Sequence, residues 1–254
     1  MISHRAAPRS LCALLGGVLI PGITAVAQPP KFPYPEKLTY RVEWRLVAAG
    51  TATVQQRHEN AHSWTIDLNL DSAGLVSRLY RVLDTYKVVT DDRFCGSNAY
   101  LDAQEGKKHI TTRLMFDNSR HKVSYDERDL IKNTSQHKEL DSPSCAYDII
   151  GALAALRVTP PPLGRSIRLP ITNGRKIVMG KIEAQGRDNI SVAGKNYSAI
   201  RYEAYLFDNV LYRRKGRLFI WLSDDSGHLP VQLQLHLGFP IGTITVSLDK
   251  EEPI

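Results

Sequence analysis

The sequence predicts a mainly β protein, built on a large curved antiparallel sheet with one or two covering helices. Two observations lead to this prediction. Apolar and polar residues alternate with a period of two in many segments, and only one long segment has the three–four spacing of a helix. The 254 residues are 43% hydrophobic and 23% charged, with a formal net charge of +7. These ordinary globular values argue against disorder, collagen-like repeats and a multi-span membrane protein.

The first strand is predicted to begin at Leu38, where every second residue becomes apolar. One face of this strand holds Leu38, Tyr40, Val42, Trp44 and Leu46. This pattern is typical of a half-buried antiparallel strand. Gly50 allows a bend or bulge, after which Thr51–Val54 is expected to continue extended.

The same alternation, bounded by turn residues, predicts the remaining strands. They are expected at 64–70, 85–90, 100–104, 108–116, 121–126, 166–171, 176–183, 190–192, 198–207, 218–222, 231–237 and 243–248. Asn173-Gly174 is a strong hairpin signal between two of them. Between the early strands, Gly74–Tyr80 breaks the alternation and predicts a short helix that covers an apolar surface.

One longer helix is predicted at 143–157. Ser142 is suited to cap its first turn, with Pro143 at the first helical position. The apolar face is expected to contain Ala146, Ile149, Ile150, Leu153 and Leu156. Arg157 lies near the negative end of the helix dipole. Asp148 is interpreted as complementing the positive end rather than acting as a catalytic acid.

The N-terminus has the features of a secretory signal peptide over residues 1–27, with cleavage before Gln28. Basic residues precede an apolar run, which ends in the small-residue pattern Ala25-Val26-Ala27. A proline-rich lead-in at 28–37 and a single β-rich domain at 38–254 are expected to follow. We therefore expect a periplasmic or secreted protein with no transmembrane segment after cleavage.

Two cysteines, Cys95 and Cys145, remain once the predicted signal peptide is removed. Exported chains meet an oxidising compartment, so these two are candidates for a disulfide. The alternative is two buried free thiols.

His58, Glu59 and His62 fit the H-E-x-x-H pattern of zinc proteases. That chemistry needs a helix, which places both imidazoles on one face. Strand patterns lie on both sides of this segment, so we interpret it as a chance match in a hairpin turn. We find no nucleophile elbow, phosphate-binding loop, dinucleotide fingerprint or C-x-x-C motif, and expect no metal, cofactor or catalytic residue.

The compact basic run contains Arg213, Arg214, Lys215 and Arg217. It is either a patch for an anionic partner, such as lipid headgroups or polysaccharide, or a solvated hairpin turn. Nucleic acid is not expected as a partner, because the chain is predicted to be exported and carries no recognised binding module.

Three separate segments of the sequence carry a resemblance: Leu38–Trp44 with Ala49–Ala52, Tyr147–Leu153, and Trp221–Asp225 with Leu229–Val231. Together they resemble a known bacterial family, the domain of unknown function 3108. The resemblance implies an envelope protein without assigned catalytic residues. It also implies a curved half-barrel related to those of periplasmic lipoprotein carriers, which is an analogy of fold only.

These observations lead to a non-enzymatic hypothesis for the function. The curved sheet is expected to bind a lipid, an acyl chain or an envelope partner on an apolar concave face. Two alternatives remain open: a hydrolase of envelope lipid or glycan with a dispersed site, and a structural or assembly protein of the envelope.

Overall fold

The computed structural model describes Met1 and residues 31–254. Apart from Met1, the predicted signal peptide lies outside these residues, as does the start of the proline-rich lead-in. The described chain contains fourteen strands and two helices. The strands are β1 (Glu36–Trp44), β2 (Val47–Asn60), β3 (Ser63–Ser72), β4 (Val82–Asp91), β5 (Gly96–Glu105), β6 (Lys108–Asp117), β7 (Lys122–Asp129), β8 (Thr134–Asp141), β9 (Ser166–Thr172), β10 (Ile177–Val192), β11 (Lys195–Tyr205), β12 (Gly216–Ser223), β13 (Pro230–Leu237) and β14 (Gly242–Pro253). The helices are α1 (Gly74–Leu79) and α2 (Ile149–Val158).

All fourteen strands form one antiparallel sheet with β8 and β9 at its two edges. Strands that are consecutive in sequence pair with each other, except β8 and β9, and the pairing of β1 with β14 joins the N-terminal and C-terminal halves. The edges do not pair with each other, so the sheet is not closed. This architecture confirms the predicted mainly β fold with a large antiparallel sheet and two helices.

Antiparallel pairing places successive connections at opposite ends of the sheet. The α1 end consists of the connections 45–46, 73–81, 106–107, 130–133, 173–176, 206–215 and 238–241. The α2 end consists of the lead-in 31–35 and the connections 61–62, 92–95, 118–121, 142–148, 159–165, 193–194 and 224–229. The two ends therefore differ in sequence and can differ in function.

Helix α2 packs on the concave face and contributes to the core on both sides. Ala154 belongs to a buried cluster with residues of β3 to β7, including Trp64 and Tyr125. Ala152 and Leu156 belong to a second buried cluster, formed with residues of β9 to β12. The helix therefore fills the space between the two halves of the curved sheet.

The longer helix starts later than the sequence suggested, at Ile149 rather than Pro143. Asp148 is its cap, because its carboxylate accepts hydrogen bonds from the backbone N–H groups of Ile150 at 3.2 Å and Gly151 at 2.9 Å. The preceding residue, Tyr147, makes backbone hydrogen bonds to Pro170 and Thr172 of β9, which hold it extended. Ser142 therefore cannot be the cap.

Helix α1 forms where it was predicted, but it does not cover an apolar surface. None of its residues is buried, and Leu75 and Leu79 are 61% and 71% exposed. The chain also turns earlier than predicted, at Arg45 and Leu46, whose φ angles of 50° and 67° belong to a tight turn.

Strand β8 was not predicted from the sequence. Seven of its eight residues are exposed, so the strand has no apolar face and lacks the alternation that identifies its neighbours.

Candidate functional site

The concave face of the sheet holds a partly open cavity of about 460 Å³, next to the first turn of α2. Alternation along β3 to β7 directs one side chain in two toward this space. The apolar part of its wall is formed by Leu68, Leu70, Ala99, Leu101, Leu114, Ile149 and Ile150. Further lining residues, Asn173, Arg175 and Tyr212, belong to connections of the α1 end, so the cavity lies in that half of the sheet.

Asp84 on β4 is a carboxylate in the cavity wall. Burial, together with the negative charge of Glu105, raises the pKa of Asp84 from 3.8 to about 6. The backbone N–H of Gln104 donates to its Oδ1 at 3.0 Å and partly opposes this shift. Asp84 therefore titrates closer to neutral pH than an ordinary aspartate does.

The floor of the cavity is fixed by a buried contact between the sheet and α2. The hydroxyl of Tyr86 donates to Oδ2 of Asp148 at 2.7 Å. Burial raises the pKa of Asp148, and the hydrogen bonds from Tyr86, Gly151 and Ile150 oppose that effect. Because these donors already occupy both carboxylate oxygens, Asp148 positions the helix and is not a free acid or base.

Side chains, rather than a strand ladder, connect the two halves of the sheet near its edges. Arg175, in the β9–β10 turn, donates to Tyr125 Oη at 3.2 Å and to Glu127 Oε2 at 2.8 Å, both on β7. Lys138 on β8 donates to the backbone oxygen of Arg175 at 2.5 Å. Burial acts to raise the pKa of Glu127, but hydrogen bonds from Tyr125 and Arg175 lower it overall.

A glycine allows the β9–β10 turn to approach β7 this closely. Gly174 has φ of +83°, and a Cβ atom there would collide with the ring of Tyr125 and with Leu114. The close approach of this turn to β7 therefore requires glycine.

Arg157 anchors the far end of α2 by a buried ion pair with Glu36 of β1. The two side chains are only 5% and 2% exposed. The guanidinium also donates to the backbone oxygens of Gly227 and His228, at 3.2 Å and 3.0 Å, and lies 3.8 Å from the ring centroid of Phe32. Arg157 therefore does more than complement the helix dipole, because it connects the last turn of the helix to β1 and to the β12–β13 connection.

Cys95 and Cys145 form a disulfide in the structure, with Cα atoms 5.1 Å apart. Cys95 lies in the β4–β5 connection, and Cys145 lies in the segment that leads into α2. The bond is reinforced by a backbone hydrogen bond of 2.9 Å from Gly96 to Ala146. It therefore holds the start of α2 against β4 and β5.

The H-E-x-x-H residues lie on the end of β2 and in the β2–β3 turn, rather than on a helix. The ring of His58 lies tilted against that of Trp64, Glu59 accepts a hydrogen bond from Thr65, and His62 lies 3.2 Å from Asp92. Across Met1 and 31–254, no group of three or more His, Cys, Asp or Glu side chains is arranged to hold a metal ion.

The basic run is split by the structure. Arg213, Arg214 and Lys215 are exposed in the β11–β12 connection. Arg217 lies on β12, where it forms a bidentate ion pair with Glu203 at 2.8 Å and 2.9 Å. Only the first three are free to meet an anionic partner.

Sequence reasoning did not identify the residues that line the cavity. One signal for them exists in β4, where Asp84, Tyr86, Val88 and Thr90 alternate with outward-facing residues and share the inner face. On this face the polar pair Asp84 and Tyr86 precedes the buried residues Val88 and Thr90, and the pair marks the cavity wall. The contribution of Arg175 has no local signal, because its partners lie on β7, far away in sequence.

Known proteins resemble this chain in sequence, through one family model, and in fold, through a solved structure. A family model described as "Protein of unknown function (DUF3108)" matches residues 39–249. Comparison with curated proteins gives no significant match. The crystal structure of a β-barrel-like protein of domain of unknown function DUF1849 from Brucella abortus has a TM-score of 0.59 and 7% identity, covering 89% of this chain and all of that one. At this identity the likeness concerns the fold alone.

Neither helix found within Met1 and 31–254 is long and apolar enough to cross a membrane.

Proposed function

The chain belongs to the DUF3108 family, whose function is unknown, and we propose from the cavity of this member that it binds the acyl part of a lipid or a similar apolar ligand. The observation that carries the proposal is the partly open cavity on the concave face, whose lining surface is mainly apolar. Its volume of about 460 Å³ falls within the range of roughly 300–1,000 Å³ that is typical of small-molecule sites.

The distribution of polar groups supports a ligand with one polar end. The aliphatic wall offers burial of apolar surface, which stabilises a complex by about 25 cal/mol per Å² removed from water. Asn173 and Arg175 lie where the wall meets the α1 end. An acyl chain would therefore lie along the aliphatic wall, with its headgroup toward the α1 end.

The proposed setting is outside the cytoplasm, in the periplasm or medium. The signal-peptide pattern of residues 1–27 and the Cys95–Cys145 disulfide both support this location.

Two adjacent threonines on β6 provide a matched test of ligand binding. Thr112 lines the cavity, while Thr111 faces the outside of the sheet. We expect Thr112→Phe to weaken binding of a fluorescent fatty acid by about tenfold or more, because the ring occupies ligand volume. Thr111→Phe is expected to bind the probe as the wild type does.

Lipid extraction of the wild-type protein is expected to release an apolar compound that is depleted from Thr112→Phe. The proposal fails if the wild type binds no fatty-acid probe, or if two folded threonine variants bind it equally.

A hydrolase acting on envelope lipid or glycan is a second candidate, because Asp84 is a cavity carboxylate with a pKa of about 6. Release of product from a phospholipid or glycan substrate, abolished by Asp84→Asn, would favour this function.

An assembly role is a third candidate, since β8 is an exposed edge strand. Site-specific crosslinking from β8 to an envelope protein would favour it.

A further inference from the structure

The most exposed large apolar side chains of residues 31–254 all lie at the α1 end of the sheet. They are Phe239 at 95% exposure, Leu46 at 90%, Leu79 at 71%, Ile131 at 66% and Leu75 at 61%. They come from four separate connections, three of which join adjacent strands from β13 to β4. Such a concentration of exposed apolar side chains at one end indicates an interaction surface.

The same end carries a strong excess of positive charge. Its seven connections contain ten basic residues and a single acidic one, Asp208. The basic residues are Arg45, Arg78, Arg81, Lys107, Lys132, Arg175, Lys176, Arg213, Arg214 and Lys215. The lead-in and connections of the α2 end contain four basic and four acidic residues, so the charge asymmetry belongs to one end of the fold.

Most of these cations are available to a partner. Of the ten, only Lys132 and Arg175 form ion pairs with carboxylates of the described chain, with Asp129 and Glu127 respectively. Arg45 donates to the backbone oxygens of Pro240 and Ile241, which holds the β1–β2 and β13–β14 turns together. Leu46 and Phe239 are therefore presented on adjoining turns.

We propose that the α1 end docks on the surface of a bilayer that contains anionic lipids. Apolar residues at the tips of several hairpins can enter the interface between headgroups and acyl chains, while the surrounding arginines and lysines meet lipid phosphates. A soluble polyanion would match the charge but would leave these apolar tips in water.

Docking by this end goes beyond ligand binding and does not depend on an occupied cavity. It does fit the position of the cavity, which lies in the same half of the sheet. A protein docked in this way would turn the cavity toward the membrane.

Co-sedimentation with vesicles tests the proposal. Each protein is produced from the full chain in the same way, so that any contribution of the N-terminus is shared by all variants. We expect the wild type to bind vesicles of phosphatidylglycerol and phosphatidylethanolamine in preference to vesicles of phosphatidylcholine, and added salt to weaken that binding.

Two variants of the α1 end separate the apolar and ionic contributions. Replacing Arg213, Arg214 and Lys215 by Gln is expected to lower partitioning to anionic vesicles by about tenfold or more. Phe239→Ser, combined with Leu46→Ser, is expected to lower it by a similar factor, because the inserted apolar area is lost. Leu163→Ser and Lys195→Gln, at the other end of the sheet, are matched controls that should bind as the wild type does.

Brominated lipids give an independent measure of orientation. The chain has three tryptophans, of which Trp44 lies at the α1 end. Its indole N–H donates to the backbone oxygen of Ile241 at 2.5 Å. Quenching by these lipids should therefore be lost in Trp44→Phe.

The inference is overturned if anionic and zwitterionic vesicles bind equally, or if the α1-end variants partition like the two controls. Thr112→Phe is expected to keep its vesicle binding, so failure of docking and failure of ligand binding can be told apart.

Discussion

Tyr86 donates a hydrogen bond of 2.7 Å to Asp148, and this contact joins the inner wall of the sheet to the cap of α2. The same carboxylate accepts two backbone N–H groups of the helix. One buried side chain therefore ends the extended segment, begins the helix and fixes the floor of the cavity.

Tyr86→Phe is expected to lower the free energy of unfolding by about 1–3 kcal/mol, because a buried carboxylate loses a donor while its other bonds remain. Urea unfolding followed by circular dichroism measures the change. Tyr205→Phe removes an exposed hydroxyl that contacts Gln185, and should cost about 0.5 kcal/mol or less. Equal losses for the two variants would contradict a structural role for the Tyr86 bond.

The buried pair of Arg157 and Glu36 is expected to behave as a unit. Glu36→Leu leaves the guanidinium buried without its carboxylate, and should cost about 3–5 kcal/mol. The double variant Glu36→Leu, Arg157→Leu should cost less than the sum of the single changes, because it leaves no unpaired charge. Strictly additive losses in chemical unfolding would show that the two side chains are not coupled.

The Cys95–Cys145 disulfide is expected to stabilise the protein by about 4 kcal/mol, from the entropy of closing a loop across a separation of 50 residues. Replacing both cysteines by serine should lower the unfolding midpoint accordingly. Alkylation followed by mass measurement gives a direct check, since reductant should expose two further thiols per chain. Two thiols that react fully without reductant would contradict the bond.

The strands that face the core on one side could be predicted from the sequence. In β13, Val231, Leu233, Leu235 and Leu237 alternate with polar residues because one face of the strand packs inward. Strand β8 has no such pattern, since it is an exposed edge strand. Periodicity reports one-sided burial, and a strand that is exposed on both sides gives no signal.

The cavity and its anchors depend on contacts between residues distant in sequence. Glu36 lies in a segment predicted to be a proline-rich lead-in, yet it begins β1 and pairs with Arg157, 121 positions away. Ser142 has local chemistry that suits a helix cap. Backbone pairing of Tyr147 with β9 excluded it and made Asp148 the cap. Local patterns do not contain this information.

Gly174→Ala is expected to push the β9–β10 turn away from β7. Gly194 is a matched control, because its φ is also positive, at +72°, but a Cβ atom there would meet nothing within 4 Å. Gly194→Ala should cost about 1 kcal/mol from backbone strain alone. Gly174→Ala should cost a further 1–3 kcal/mol or so, because its methyl group collides with Tyr125.

Fatty-acid binding should weaken only in Gly174→Ala, since Tyr125 also lines the cavity. Equal destabilisation of the two alanine variants would show that the turn does not press against β7.

The titration of Asp84 predicts a specific pH dependence of stability. Burial, aided by Glu105, raises its pKa from 3.8 to about 6 in the folded protein, so the folded state holds the proton more tightly than the unfolded state. Its contribution is therefore most favourable below pH 3.8, declines as pH rises through about 6, and is constant above that. Asp84→Asn removes this decline.

We expect Asp84→Asn to be more stable than the wild type at pH 7 by about 1–2 kcal/mol, a figure reduced for partial solvent screening. Unfolding of both proteins at a series of pH values from acid to neutral measures the difference. Asp71→Asn, at an exposed position on β3, serves as the control for loss of a carboxylate. A stability difference between Asp84→Asn and the wild type that does not change with pH would show that Asp84 has an ordinary pKa, and would remove the basis for a catalytic role of this residue.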